Sequence, residues 1–168
     1  SIHPLEYSTE NGCCAKTYCF NATIKLSKNM SDLPKKVIIN ADGGSRGNPG
    51  PSASGFVIQD QSGEQVLETG GKFLGITTNN QAEYRAVLFA LQRAKELQVE
   101  EIEFRLDSLL VVNQMKGIYK VKNKDLAVVY EQIKKLVQEF KEVKFVHVLR
   151  EYNKLADAKA NRLMDENS

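Results

Sequence analysis

From Val37 onward the hydrophobic period of the chain changes in one order, three strand-like runs and then alternating helical and strand-like segments. Few folds accept that order. Val37-Ile38-Ile39-Asn40-Ala41-Asp42 is a short apolar run of the kind that forms a buried strand. A turn-rich stretch follows, Gly43-Gly44-Ser45-Arg46-Gly47-Asn48-Pro49-Gly50-Pro51. Ser54 to Asp60 and Glu64 to Phe73 read as two further strands, parted by the turn signal Gln61-Ser62-Gly63. Strands joined this closely form an antiparallel meander.

The period then becomes helical. Asn79 and Asn80 are good N-caps, and Ala82, Ala86, Ala90, Leu91, Ala94 and Leu97 recur on one face beyond them. Glu101 to Asp107 reads as strand four, and Ser108 to Met115 as a short helix. Asp125 to Phe140 places Leu126, Val129, Ile133, Leu136, Val137 and Phe140 along one stripe, as an amphipathic helix does. Val143 to Val148 reads as strand five. Asn153 opens a last helix with Leu155, Ala156, Ala160 and Leu163 inward. The expected fold is α/β, a mixed five-stranded sheet with helices on both faces.

The length of 168 residues suits one such domain. Residues 1–34 mix polar residues and cysteines without clear patterning. They are expected to be an extension, with 35–168 as the folded unit. Thr17 to Leu26 alternates weakly and could add an edge strand. Cys13, Cys14 and Cys19 form an odd cluster, a poor disulfide framework. With His3 they could hold zinc, but adjacent cysteines lack the paired spacing of common zinc sites. Three free thiols, with no signal pattern ahead of them, suggest a reducing, cytoplasmic setting. Asn21-Ala22-Thr23 and Asn29-Met30-Ser31 are then chance sequons. No apolar run approaches the roughly 20 residues of a membrane span. The net charge of +2 argues against a polycation, though local charge decides nucleic-acid binding more than the sum does.

Four acids stand at costly positions. Asp42 and Asp107 end apolar strands, and Glu83 and Asp157 lie in first turns of helices. Parallel strands one and four would bring their C-terminal ends together, with helix starts crowding the same edge. A lone acid at any of these places is ordinarily a cap or a dipole partner. Four together would repel unless a cation neutralised them. With neither His nor Cys beside them, the oxygen donors suit Mg2+ rather than zinc.

These four acids lie in segments that resemble the motifs of type 1 ribonuclease H, in its compact bacterial, archaeal and reverse-transcriptase-like branch. The segments are Asp42-Gly43-Gly44-Ser45-Arg46-Gly47-Asn48-Pro49-Gly50-Pro51, Thr77-Thr78-Asn79-Asn80-Gln81-Ala82-Glu83-Tyr84, Leu106-Asp107-Ser108 and Asn153-Lys154-Leu155-Ala156-Asp157-Ala158-Lys159-Ala160-Asn161. They occur in order between residue 36 and about residue 164. The resemblance implies an endonuclease that cuts the RNA strand of RNA–DNA hybrids, leaves 5′-phosphate ends and uses two Mg2+ ions, with Mn2+ as a substitute. No membrane and no obligate protein partner are implied.

Carried over, Asp42 would bridge both ions, Asp157 would hold the ion that activates water, and Glu83 with Asp107 would hold the other. Gly43, Gly44 and Ser45 would meet the RNA strand through their backbone. Asn48, Asn79 and Asn80 would reach the minor groove, and Thr78 with Asn80 a DNA phosphate. Turn geometry and capping compete with these roles.

Two departures stand out. The flexible histidine loop of many members is shortened, and His147 falls inside the strand pattern, where a hydrogen-bonded structural role is expected. Arg150 is the better candidate for phosphate contact, with a solvated surface position as the competing reading. In place of a basic protrusion stands Lys116-Gly117-Ile118-Tyr119-Lys120-Val121-Lys122-Asn123-Lys124, whose Lys120, Lys122 and Lys124 are candidates to track phosphate. The alternatives are double-stranded RNA or chimeric junctions as substrate, DNA as in integrases and resolvases, or a binding module without catalysis. Retention of all four acids weighs against the last, and the Gly-rich segment with the Asn pair against DNA alone.

Overall fold

The computed structural model describes residues 33–167. The three cysteines and the weak strand pattern over 17–26 lie outside the described residues. The elements run β1 Lys36–Ser45, β2 Gly50–Asp60, β3 Val66–Thr77, α1 Asn79–Glu96, β4 Glu101–Leu106, α2 Leu109–Met115, α3 Lys124–Val137, β5 Glu142–His147 and α4 Lys154–Glu166. A 3-10 turn, Arg150–Tyr152, joins β5 to α4. The sheet order is β3-β2-β1-β4-β5. β1 pairs with β2, and β2 with β3, antiparallel; β1 with β4, and β4 with β5, parallel. The expected mixed five-stranded sheet is the one found.

Burial explains the layering. β1 lies at the centre and is buried from Val37 through Gly43. In β4, Ile102, Phe104 and Leu106 are buried and alternate with half-buried Glu101, Glu103 and Arg105, the period of a strand covered on one face. The covered side carries the main core, where Val37, Ile39, Ala41, Phe56 and Ile58 pack with Tyr84, Val87 and Leu91 of α1, Val111 of α2 and Ile133 of α3. α4 lies on the opposite face, over β2. There Ala53, Ala160, Leu163 and Met164 form a smaller cluster. A side chain at Gly55 would strike the α4 backbone at Ala156 and Ala160, so small residues let helix and sheet approach. α1 is fastened to β3 as well. Arg93 donates from Nε and Nη2 to the two oxygens of fully buried Glu68, both at 2.7 Å, a bidentate pair that a buried carboxylate requires.

Several expected boundaries move. β1 does not stop at Asp42; Gly43, Gly44 and Ser45 stay in the ladder opposite Ser54, Ala53 and Ser52. The turn is confined to residues 46–49. β2 therefore begins at Gly50, and β3 reaches Thr77. The N-cap of α1 is Thr78, whose Oγ1 accepts from the Gln81 N–H, and Asn79 and Asn80 fall inside the first turn. α3 ends at Val137, with Phe140 buried just beyond it. Leu155, expected inward, is 54% exposed because it points away from the sheet. His147, expected in a hydrogen-bonded interior role, is exposed at the end of edge strand β5.

Candidate active site

Two local devices bring the acids together. The first is the parallel pairing of β1 with β4. Its register aligns Asn40 with Arg105, so two residues further on Asp42 stands beside Asp107, just past the end of β4. The second is Gly43. A side chain there would overlap the backbone of Ala82 and Glu83. Its absence admits the start of α1 against the sheet and sets Glu83, which falls one residue past the first turn expected for it, next to Asp42. The Ser54 hydroxyl donates to the Ala82 carbonyl at 2.6 Å and holds that turn. Ser108 Oγ caps α2 by accepting from the Val111 N–H, which fixes the chain directly after Asp107.

Asp157 arrives from the other face. Buried Asn153 donates from Nδ2 to the Ala41 carbonyl at 3.0 Å, and Asn40 Nδ2 donates to the Tyr152 carbonyl at 3.1 Å. These two amides stitch the start of α4 to the strand residues just before Asp42. Asn161, one turn on, donates to Asp157 at 3.3 Å, and Arg150 lies 3.8 Å from it.

The result is a cleft of about 470 Å³ lined by all four acids together with Gly43, Gly44, Ser45, Asn79 and Arg150. Carboxylate oxygens of Asp42, Glu83 and Asp107 lie within 4.8 Å of one another. Burial pushes the Asp42 carboxyl up to about 9, helped by the charge of Asp107, a hydrogen bond with Asp157 and the charges of Asp157 and Glu83. Burial and then Asp107 raise Glu83 to about 7. Like charges thus oppose one another in a site of oxygen donors, a donor set that fits a hard divalent cation.

A reverse transcriptase-like family model matches residues 40–163. Over 130 residues the chain is 43% identical to the bifunctional protein Rv2228c of Mycobacterium tuberculosis, which covers 77% of this chain and 36% of that protein. Ribonuclease HI of Halobacterium salinarum is 42% identical over 125 residues, 74% of this chain and 62% of that one. The solved N-terminal RNase H domain of the mycobacterial protein superposes with a TM-score of 0.76 at 43% identity, covering 78% of this chain and 94% of that domain. The chain belongs to the type 1 ribonuclease H family. LC11-RNase H1, solved in complex with an RNA/DNA hybrid, has a TM-score of 0.74 at 39% identity and covers 78% of this chain and 98% of that one. The ribonuclease H unit described here spans about a third of the length of the mycobacterial relative and under two thirds of the halobacterial one.

Against this family background the remaining candidates divide. Asn48, Thr78 and Asn80 line a second cleft, of about 530 Å³, with Gln81, Arg85 and Asn123. Asn48 Oδ1 also accepts from the Asn79 N–H at 3.2 Å and ties the β1–β2 turn to α1. Ser45 Oγ is turned to the backbone, toward the carbonyls of Gly47, Gly50 and Thr77. Lys120, Lys122 and Lys124 are exposed, and the last two flank Asn123 at the second cleft. Sequence reasoning passed over Arg46, Ser108, Asn161 and Met164 in the first cleft, and Gln81, Arg85 and Asn123 in the second. Asn161 had a readable signal, one helical turn beyond Asp157. Arg46 had only its place inside the Gly-rich segment.

Proposed function

We propose that this chain is a metal-dependent endoribonuclease that hydrolyses the RNA strand of RNA–DNA hybrids. The observation that carries the reading is the convergence of Asp42, Glu83 and Asp107 to within 4.8 Å, in a cleft shared with Asp157. Asp42, Glu83, Asp107 and Asp157 would together hold two Mg2+ ions, with Mn2+ as a substitute. Bound divalent ions supply a hydroxide nucleophile at neutral pH and stabilise the leaving oxygen in phosphodiester cleavage.

The protein's own residues hold and select the substrate. Asn40 and Asn153 keep Asp157 in register with Asp42. Arg150 is 80% exposed on the cleft rim, and its planar fork suits phosphate oxygens. Gly44 leaves the strand edge open, since a Cβ there would meet only Met164 Cε, at 3.6 Å. A ribose can therefore approach the backbone, where its 2′-hydroxyl distinguishes RNA from DNA. Thr78, Asn80 and the lysines near Asn123 receive the DNA strand across the second cleft. A cytoplasmic setting fits this role.

Initial rates with Mg2+ on one sequence, as hybrid, duplex RNA, chimeric junction and duplex DNA, test the reading. The hybrid should be cleaved fastest, with 5′-phosphate products. Preference for duplex RNA or a junction would transfer the site to that substrate, and cleavage of none would leave only a binding module.

The lysine run makes a separate prediction. Replacing Lys120, Lys122 and Lys124 together with Ala should weaken hybrid binding. It should also flatten the log–log salt dependence by up to about one unit per lost phosphate contact. An unchanged slope would make the run a solvated surface.

A further inference from the structure

Arg46 sits in the β1–β2 turn, four residues after Asp42, and lines the cleft that holds the four acids. It is not idle there. Its Nη2 is paired with Asp165 Oδ1, at the far end of α4 and 119 residues away in sequence. The pair therefore spans from the Gly-rich turn to the last turn of α4, along one side of the cleft. Among the residues lining this cleft, Arg46 and Arg150 are the cations, and each faces a carboxylate.

Three features make the Arg46 pair exchangeable. Both side chains are exposed, 44% and 65%, and exposed pairs are worth little. Asp165 stands in the last turn of α4, which carries no basic residue, so the helix dipole disfavours its charge. Guanidinium forks also bind phosphate bidentately, with five donors to share. A phosphate entering beside Gly44 and Ser45 meets this guanidinium next in the chain.

We propose that Arg46 is a further substrate-binding residue. Asp165 holds it beside the cleft in the free protein, and it passes to a phosphate of the strand lying along the Gly44–Arg46 edge when hybrid binds. This rests on the hybrid reading above. Asp165 thereby sets affinity by competing with substrate for one guanidinium.

The test is fluorescence anisotropy of a short labelled RNA–DNA hybrid with Ca2+ in place of Mg2+, at several salt concentrations, using the full chain. Arg46→Ala should weaken binding about 3- to 10-fold at low salt and lower the salt slope by about one unit. Asp165→Asn should tighten binding about 2- to 5-fold, by releasing the arginine. In the Arg46→Ala background, Asp165→Asn should do nothing.

Weakening by both single variants would make the pair a structural strap and overturn the proposal. So would equal tightening by Asp165→Asn with and without Arg46, because Asp165 would then act through its own charge alone. Thermal midpoints of the variants expose any loss of fold. If the unaltered chain neither binds nor cleaves hybrid, the functional reading fails instead, and the substrate panel shows that independently.

Discussion

Asp42→Asn should lower hybrid cleavage at least about a thousandfold, the scale on which losing one member of a catalytic unit acts. Hybrid binding should persist or tighten, because a negative charge facing phosphates is gone. The same substitution should raise the stability of the metal-free protein at alkaline pH. Burial and neighbouring acids lift the Asp42 carboxyl to about 9 and Glu83 to about 7. A carboxyl whose proton is held more tightly in the fold stabilises it at low pH, and that contribution is lost as pH rises through the folded value.

The unaltered chain without divalent cation should therefore lose stability from about pH 4, where the two carboxyls ionise in the unfolded chain, to about pH 9, and Mg2+ should restore most at the alkaline end. A tenfold displacement of a proton equilibrium is about 1.4 kcal/mol, and the coupled cluster shares its protons, so the Asn variant should gain about 1–3 kcal/mol near pH 9. Thermal melts across pH, with and without Mg2+, measure this. Near-normal turnover in the variant, or parallel pH profiles for both proteins, would remove Asp42 from the centre of the site.

Gly43→Ala should be the most damaging change of a single methyl group. The added Cβ would overlap the backbone of Ala82 and Glu83, and backbone cannot swing aside as a side chain does. α1 must shift from the sheet, at a cost of about 3 kcal/mol, or roughly 6–12 °C in melting temperature for a domain of this size. Glu83 would move with its helix, so activity should fall with stability. Gly44→Ala is the matched control. The space there is open as far as Met164 Cε, so stability should change by less than about 1 kcal/mol. If the two variants melt alike, close approach of α1 is not what Gly43 serves.

That contrast shows how far the sequence could be read. Order and direction of the elements were legible because periods of strand and helix differ and turn residues punctuate them. The four acids were legible because each falls near a change of hydrophobic period, although β1 runs three residues past Asp42. The extent of β1 was not, because Gly43 and Gly44 look like turn residues until α1 is seen lying on Gly43 and the ladder with β2 is seen to continue through both. Contacts that depend on distant register were equally hidden. Nothing local to Glu68 or Arg93 announces a buried bidentate pair, and nothing in Asn40 announces the Tyr152 carbonyl, 112 residues away. His147 misled because a strand pattern does not say which strand is an edge. Asn48, Thr78 and Asn80 were readable as polar candidates, yet only the fold separates their cleft from that of the acids.

The central claim joins the carboxylate cluster to cleavage of one strand. Its most direct test is to strip the protein of divalent ions with chelator and offer it a hybrid labelled on both strands. Mg2+ is then added back in steps. No cleavage is expected before addition. Internal cuts in the RNA strand alone should then rise with Mg2+ and be absent at every concentration in Asp42→Asn. Cleavage by the stripped protein, or cuts in the DNA strand, would contradict it.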